Sequence, residues 1–215
     1  MSEHSVSAGE LVTLAREAEA EIEEKRSRFI AGAVPVSDES EARAYIDARR
    51  KKHYAAKHHV FAYMISEGSV VRYSDDGEPQ GTGGIPVLNV LRSSGATDFC
   101  VVVTRYFGGI LLGTGGLSRA YAAAARAAVD LAGFAVYRDY SVYEVSVSYP
   151  DYRKLSLALQ KAGALEDGSE FGECVRMTCS VLSGDAQRFE RLVTDVTNGK
   201  ALCVFMNKEK RRAEN

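Results

Sequence analysis

The chain has 215 residues, of which 46% are apolar and 26% are charged, and its formal net charge is -2. This length allows one large domain or two small ones with a sizeable core, and the composition is typical of a globular protein. The near-neutral charge excludes a global field that would draw the chain onto nucleic acid, so any such binding requires a local basic patch.

The N-terminal half begins with a segment of ambiguous secondary structure. In residues 18–24 the alanine and glutamate content favours a helix, but apolar residues alternate with glutamates at the period of a strand. FIAGAVPV (29–36) predicts a strand, and Asp38 with Glu41 forms a D-x-x-E capping signal for a helix that ends near Lys52. The next predicted elements are a strand over 58–65, a strand over 69–74, a loop over 75–86 and a short helix in IPVLNVLRSS.

A glycine-rich junction follows between a strand and a helix. DFCVVVTRY is a continuous apolar run that predicts a strand buried on both faces, and RYFGGILLGTGGLSRAY (105–121) follows it with five glycines. A helix is predicted from Leu117, and Gly133 is placed to terminate it. The residues predicted on its packed side are Leu117, Ala120, Tyr121, Ala124, Ala128 and Leu131.

After Arg138 the pattern restarts as a second unit. The predicted elements are a strand over 141–149, a helix from Pro150 to Lys161, strands over 165–171 and 174–182, a helix capped by Asp185 and a strand over 200–206. This βαββαβ order is the ferredoxin-like arrangement. A short hinge is predicted over 134–140, with domains at 1–136 and 137–215, and KEKRR (208–212) is interpreted as a solvated basic tail.

Cysteines and apolar runs set the expected compartment. The four cysteines stand singly without C-x-x-C spacing, and neither a signal peptide nor an apolar stretch of about 18 residues is visible. We therefore expect a cytoplasmic protein with reduced thiols and no membrane partner.

The glycine-rich loop leaves two interpretations open. It lacks the G-K-[ST] ending of a P-loop and does not match G-x-G-x-x-G, so these two nucleotide signatures are disfavoured. Its glycines and the following helix N-terminus can present N–H groups to an anion, with Arg105 and Arg119 adding charge. Alternatively, the glycines serve turns with positive φ and close strand–helix packing. Tyr106 and Phe107 can supply base stacking if exposed, or pack in the core instead.

A second polar cluster lies in SDDGEPQGT (74–82). Asp75, Asp76 and Glu78 have the chemistry to bind a hard cation or transfer protons, but turn stabilisation is the favoured role because neighbouring carboxylates point in different directions. His58 and His59 face opposite sides of a strand, so one of them is expected to be a core histidine. We predict no catalytic residue, no metal site and no cofactor.

Three segments in this order, HHVFAY, SDDGEPQGTGGIPVLNVL and VVVTRYFGGILLGTGGLSRAY, resemble the IMPACT/YigZ family over about residues 27–131. The βαββαβ half resembles the extra C-terminal domain of the bacterial two-domain members. Val60 stands where the family commonly has cysteine, and Gly83 where it commonly has alanine. The resemblance implies an α+β protein, with a ribosomal-protein domain-2-like α/β sandwich followed by a ferredoxin-like domain, and it makes 18–24 a strand.

The resemblance also implies a function. It suggests a non-enzymatic, translation-linked regulator, active in stress responses, that binds RNA, the ribosome or a translation-associated protein, with no DNA-specific signal. The alternative is a small-molecule enzyme or phosphate binder that uses the glycine-rich loop as GHMP kinases do, although only Thr114 and Ser118 supply hydroxyls there. Because the family carries both motifs together, we expect one cleft formed by His58, Asp75, Asp76, Glu78, Thr82, Arg105, Tyr106, Gly108, Gly109, Gly113, Thr114, Gly115, Gly116 and Arg119.

Overall fold

A computed structural model of the chain describes residues 10–66 and 68–213. These residues divide into two compact units, one over 11–136 and the other from Tyr137 onward together with Glu10. No helix among the described residues is long and apolar enough to cross a membrane.

The N-terminal unit is built on a five-stranded antiparallel sheet with the order β2-β3-β6-β4-β5. The strands in this part of the chain are β1 (Glu10–Leu14), β2 (Ala18–Glu24), β3 (Ser27–Pro35), β4 (His58–Ile65), β5 (Val70–Ser74) and β6 (Phe99–Tyr106). The helices are α1 (Glu39–Lys52), α2 (Gly84–Ser93) and α3 (Thr114–Ala132).

Local signals explain where α1 begins. Its N-cap Asp38 accepts a hydrogen bond from the Glu41 N–H at 2.9 Å, and the Glu41 carboxylate accepts one from the Ser37 N–H at 2.7 Å. The first bond satisfies an N–H group that the first helical turn leaves unpaired, and the second satisfies the N–H of Ser37, which precedes the N-cap. The predicted capping signal is therefore confirmed.

The central strand β6 has a core on each side. Val101 and Val103 belong to the core that also contains residues of α2 and α3, whereas Cys100 and Val102 belong to a smaller core with residues of α1. The prediction of a strand buried on both faces is confirmed. Segment 18–24 is strand β2, because its alanines and Ile22 pack against the larger core while the alternating glutamates face away from it.

The C-terminal unit has the predicted ferredoxin-like fold. Its elements are β7 (Phe134–Val147), α4 (Tyr149–Lys161), β8 (Leu165–Phe171), β9 (Val175–Leu182), α5 (Ala186–Thr197) and β10 (Leu202–Arg212). The four strands of the βαββαβ unit lie in the order β10-β7-β9-β8. Strand β1 is also a neighbour of β7. The first three residues of β7 belong to the N-terminal unit. Its core includes Tyr143, Leu155, Met177 and Phe189.

Several predicted boundaries are wrong. Strand β7 begins at Phe134, so the hinge predicted over 134–140 is part of a continuous strand, and its residues 137–140 pair with β10. Helix α3 begins at Thr114 rather than Leu117, since glycines cost little in a first turn that lacks helical hydrogen bonds on its N–H groups. Leu131 is half-exposed, and Ala132 takes the last packed position of that helix.

The interpretation of residues 208–212 as a solvated basic tail is also wrong. It forms the second half of β10 and pairs with residues 137–141 of β7, so it is part of the sheet and not a solvated tail. Arg211 donates to Asp167 of β8 and to Ser180 of β9 at 2.7 Å each, and its guanidinium lies 5.4 Å from the Tyr140 ring of β7. One side chain of the last strand therefore contacts the other three strands of the βαββαβ unit.

Candidate functional site

A cavity of about 540 Å³ opens at the end of the N-terminal sheet where β4 begins and β6 ends. The register of the sheet places His58 opposite Arg105, so the first residue of β4 meets the last part of β6. The glycine-rich loop 107–113 follows directly. The lining residues are Ala55, Ala56, Lys57, His58, Arg105, Tyr106, Phe107 and Leu111.

Asp75 organises the loop before α2. Its carboxylate accepts hydrogen bonds from the N–H groups of Gly81, Gly83 and Gly84 at 2.8–2.9 Å. Partial burial raises the pKa of this carboxyl group, but the three N–H donors outweigh burial and leave the pKa below its usual value. The carboxylate also lies at the N-terminus of α2, where it complements the helix dipole.

Asp76 holds the start of β4. Its carboxylate accepts from the backbone N–H of His59 at 2.7 Å and from the Arg50 guanidinium at 3.1 Å. Its carbonyl oxygen lies 2.9 Å from His58 Nδ1, so this nitrogen carries the proton when the imidazole is neutral. His59 is buried with Nδ1 3.1 Å from Thr104 Oγ1, which makes it the expected core histidine.

Glu78 is buried beneath the cavity. Its Oε1 accepts from Arg105 at 2.8 Å and from the Tyr121 hydroxyl at 2.7 Å. Burial and the neighbouring Glu78 carboxylate both raise the pKa of Tyr121, so its hydroxyl stays protonated and donates. Thr82 is buried too and donates to the Pro79 carbonyl at 2.6 Å.

All three carboxylates of the acidic loop 74–82 have structural partners, but only Asp75 has the favoured turn-stabilising role. Asp76 bonds to β4 and α1, and Glu78 bonds to Arg105 and Tyr121. Asp75, Asp76 and Glu78 do not line the cavity. Glu78 is connected to it only through its hydrogen bond from Arg105, which does line it. Within residues 10–66 and 68–213, no group of three or more His, Cys, Asp or Glu residues is placed to hold a metal ion.

The first glycines of the loop have different roles. A Cβ at Gly108 would lie 2.0 Å from the carbonyl carbon of Arg26, and its N–H donates to Ser27 Oγ at 3.1 Å, so only glycine fits this close approach. Gly109 has φ of +83° and a Cβ there would meet open space, so its requirement is conformational. Gly109 thus serves a turn with positive φ and Gly108 serves close packing of the backbone, which are the two roles in the alternative interpretation of the loop.

The start of α3 is positively polarised. Gly113 has φ of +72° and supplies no capping side chain, and Thr114, Gly115 and Gly116 form the first turn. A Cβ on Gly115 would lie 3.5 Å from Nη1 of Arg119, so the guanidinium stands beside this first turn. A helix N-terminus and an arginine at the same place both favour an anion.

Of the residues predicted for one cleft, His58, Arg105 and Tyr106 line the cavity. Arg105 is buried and paired with Glu78, so its charge is already compensated. Sequence reasoning did not include Lys57 or Leu111, which also line the cavity. The sequence feature that could have indicated Lys57 is its position directly before β4. For Leu111 it is the position between the two glycine pairs of the loop.

Comparison with known proteins shows which family the chain belongs to. Residues 25–129 match the model of the Impact N-terminal domain, and residues 145–200 match a domain of unknown function, DUF1949. The chain is 36% identical over 190 residues to IMPACT family member YvyE of Bacillus subtilis, with 88% of each chain covered. It is 43% identical over 100 residues to IMPACT family member YigZ of Escherichia coli, covering 45% of this chain and 49% of YigZ.

A solved structure shows the same architecture over nearly the whole chain. It is described as the crystal structure of a hypothetical protein, and it matches with a TM-score of 0.63 and 26% identity over 94% of this chain and 99% of its own. Fold and site thus define a two-domain α+β protein with an Impact-type N-terminal domain and a ferredoxin-like C-terminal domain. The chain belongs to the IMPACT family, as the motifs indicate.

Proposed function

We propose that the N-terminal unit is a non-enzymatic module, linked to translation, that binds single-stranded RNA at the cavity between residues 55–58 and 105–111. The observation that carries this proposal is Phe107, which is 57% exposed at a cavity wall that also contains Tyr106, Lys57 and His58. An exposed aromatic ring beside basic side chains is the arrangement by which proteins bind unpaired bases.

The surroundings of Phe107 support a stacking role. The Arg105 guanidinium lies 5.4 Å from the centroid of the Phe107 ring and 5.6 Å from that of the buried Phe29. Cation–π contacts of this kind orient a ring without covering all of it. The exposed surface of Phe107 is then available to a base, and Arg105 acts by positioning the ring and not by binding phosphate.

The RNA backbone is proposed to follow the glycine-rich loop to α3. Leu111 lines the cavity, and Gly113 begins the N-terminal turn of α3 two residues later, with Arg119 beside it. The N–H groups of Thr114, Gly115 and Gly116 and the Arg119 guanidinium would bind one phosphate, and Lys57 a second. Tight nucleotide binding and turnover gain no support from these contacts, since the carboxylates of the acidic loop already have partners.

We expect Phe107→Ala to weaken binding of a fluorescent single-stranded RNA by about 1–3 kcal/mol, because one stacked base is lost. Arg119→Gln and Lys57→Gln should each lower the salt slope of the binding constant by about 0.7. Anisotropy titrations across a salt series measure both effects. The matched control is Tyr149→Ala, which removes an exposed aromatic ring from the C-terminal unit.

The proposal fails if Phe107→Ala binds RNA like the wild type, or if Tyr149→Ala loses as much affinity. Arg105→Ala is avoided in this test because it would leave Glu78 buried without its cationic partner and destabilise the unit. Turnover of a small phosphorylated substrate at this cavity would instead support the enzyme alternative.

A further inference from the structure

The edge strand β10 of the C-terminal sheet divides into two halves of opposite character. Within the described residues β10 pairs only with β7, so its other edge presents unpaired backbone groups. The second half carries three exposed cations and follows a register shift between Phe205 and Asn207. Those cations are Lys208, Lys210 and Arg212.

A bulge and charged side chains are the means by which proteins protect a sheet edge from pairing with other chains. The first half of β10 carries no charged side chain, and the irregularity affects only its last residue, Met206. Its exposed side chains are apolar, namely Leu202 (63% exposed), Val204 (41%), Phe205 (49%) and Met206 (56%). The edge of β10 is thus protected from pairing with other strands over 208–212, which we call the guarded half. It is unprotected over 202–206, the open half.

We infer that residues 202–206 are a docking strand for an extended segment of another protein, in which apolar residues adjoin carboxylates. Strand addition would satisfy the backbone groups of the open half, and apolar side chains of the peptide would cover Leu202 and Val204. A segment that extends beyond Met206 then meets Lys208, Lys210 and Arg212, so carboxylates at that end are complementary in charge.

A second copy of the chain fits this edge less well. A twofold pairing of the open half centred on Val204 would place Leu202 opposite Met206, but it would also bring Lys208 of each copy towards Lys200 of the other, which lies two residues before β10. Like charges directly opposite each other destabilise a strand pair. The charge pattern therefore favours a heterologous acidic partner.

Strand β8, another edge strand of this sheet, is not divided into a charged half and an apolar half. Strand β8 also has a register shift, between Glu166 and Gly168, and its exposed residues include Glu166, Asp167 and Glu170. Charged residues and the irregularity extend over most of its length, so β8 is guarded throughout. Of the two edge strands β8 and β10, only β10 combines a guarded half with an apolar half.

The test uses the full chain and a fluorescein-labelled peptide, DEDVTVTVT, with its reversed sequence and the basic analogue KKKVTVTVT as probes. We expect one orientation of the acidic peptide to bind about tenfold more tightly than the basic analogue. Lys208→Glu with Lys210→Glu should reverse this preference. Val204→Lys should lower binding of the acidic peptide by at least about tenfold, because it extends the guarded region into the open half.

The matched control is Arg153→Glu with Lys154→Glu, the same charge change at exposed positions of α4, which should leave peptide binding unchanged. Hydrogen exchange should show new protection of amides in 202–206 when the peptide is bound. Equal binding of acidic and basic peptides, or undiminished binding by Val204→Lys in a folded protein, overturns the proposal. Self-association of the wild type that Val204→Lys abolishes would make a second copy the occupant and would also overturn it.

Discussion

At the residue scale, two positions at which this chain departs from its family are in contact with each other. Val60 is fully buried in β4, and Gly83 is the N-cap of α2. A Cβ at Gly83 would lie 2.8 Å and 3.0 Å from the two methyl carbons of Val60. The family resemblance implies cysteine and alanine at these positions, and the larger Val60 here occupies the space that an alanine methyl group at position 83 would need.

We therefore expect Gly83→Ala alone to destabilise the protein by about 1–3 kcal/mol, since it overpacks a fully buried site. Val60→Cys with Gly83→Ala should recover much of this loss, giving a coupling energy of about 0.5–3 kcal/mol in a double-mutant cycle. Urea unfolding of the wild type, both single variants and the double variant measures the cycle.

Gly184→Ala is the matched control, because a Cβ there meets nothing within 4 Å. It should change the unfolding free energy by no more than about 0.5 kcal/mol. Additive effects of the two substitutions would show that positions 60 and 83 are not energetically coupled.

At the element scale, β10 is held by a side chain that sequence reasoning assigned to solvent. Arg211 donates to both carboxylate oxygens of Asp167 at 2.7 and 2.8 Å, and it also reaches Ser180 and the Tyr140 ring. The hydrogen bonds from Arg211 outweigh the effect of partial burial and lower the pKa of Asp167. The last strand is therefore joined to β7, β8 and β9 through one guanidinium.

We expect Arg211→Lys to destabilise the C-terminal unit by about 1–2 kcal/mol, because an ammonium cannot reproduce the paired hydrogen bonds of a guanidinium. The pKa of Asp167 is lower in the folded than in the unfolded chain, so its stabilising contribution is present above the unfolded pKa of about 3.9 and is lost as the pH falls through the folded pKa. The difference between wild type and variant should therefore shrink below about pH 4.

Thermal unfolding at pH 7 and at pH 3 measures this effect, with Arg212→Lys as the exposed neighbour that should leave stability unchanged within about 0.5 kcal/mol. An Arg211→Lys variant as stable as the wild type at pH 7 would show that the contacts of Arg211 add nothing to the sheet.

The elements show which parts of the fold a sequence can predict. The D-x-x-E signal predicts the start of α1 because it depends on neighbouring residues, whereas composition and alternation in 18–24 conflict and leave β2 open until the family resemblance decides for a strand. The second half of β10 is hydrophilic and is a strand because β7 provides its hydrogen bonds, which no local pattern shows. The same limit applies to the site, since Glu78 meets Arg105 and Tyr121 at separations of 27 and 43 residues.

At the scale of the whole molecule, each unit has its own core. Two clusters of buried apolar residues lie within 11–136, and the third contains only residues between Tyr143 and Cys203. The boundary between the units falls inside strand β7, between Val136 and Tyr137, and not in an exposed linker. A separate core is the physical requirement for a domain that folds by itself.

We therefore expect fragments 1–136 and 137–215, expressed separately, each to unfold cooperatively, since a chain of about 80 residues with its own core is large enough to fold alone. Circular dichroism melts and the dispersion of amide signals in NMR spectra measure this. A fragment that begins at residue 148 is the matched control, and it should remain unfolded because β7 is the strand that joins β10 to β9. RNA binding should remain with the first fragment and binding of the acidic peptide with the second. A non-cooperative melt of 137–215, or equal folding of the fragment without β7, would mean that the C-terminal core is not an independent folding unit.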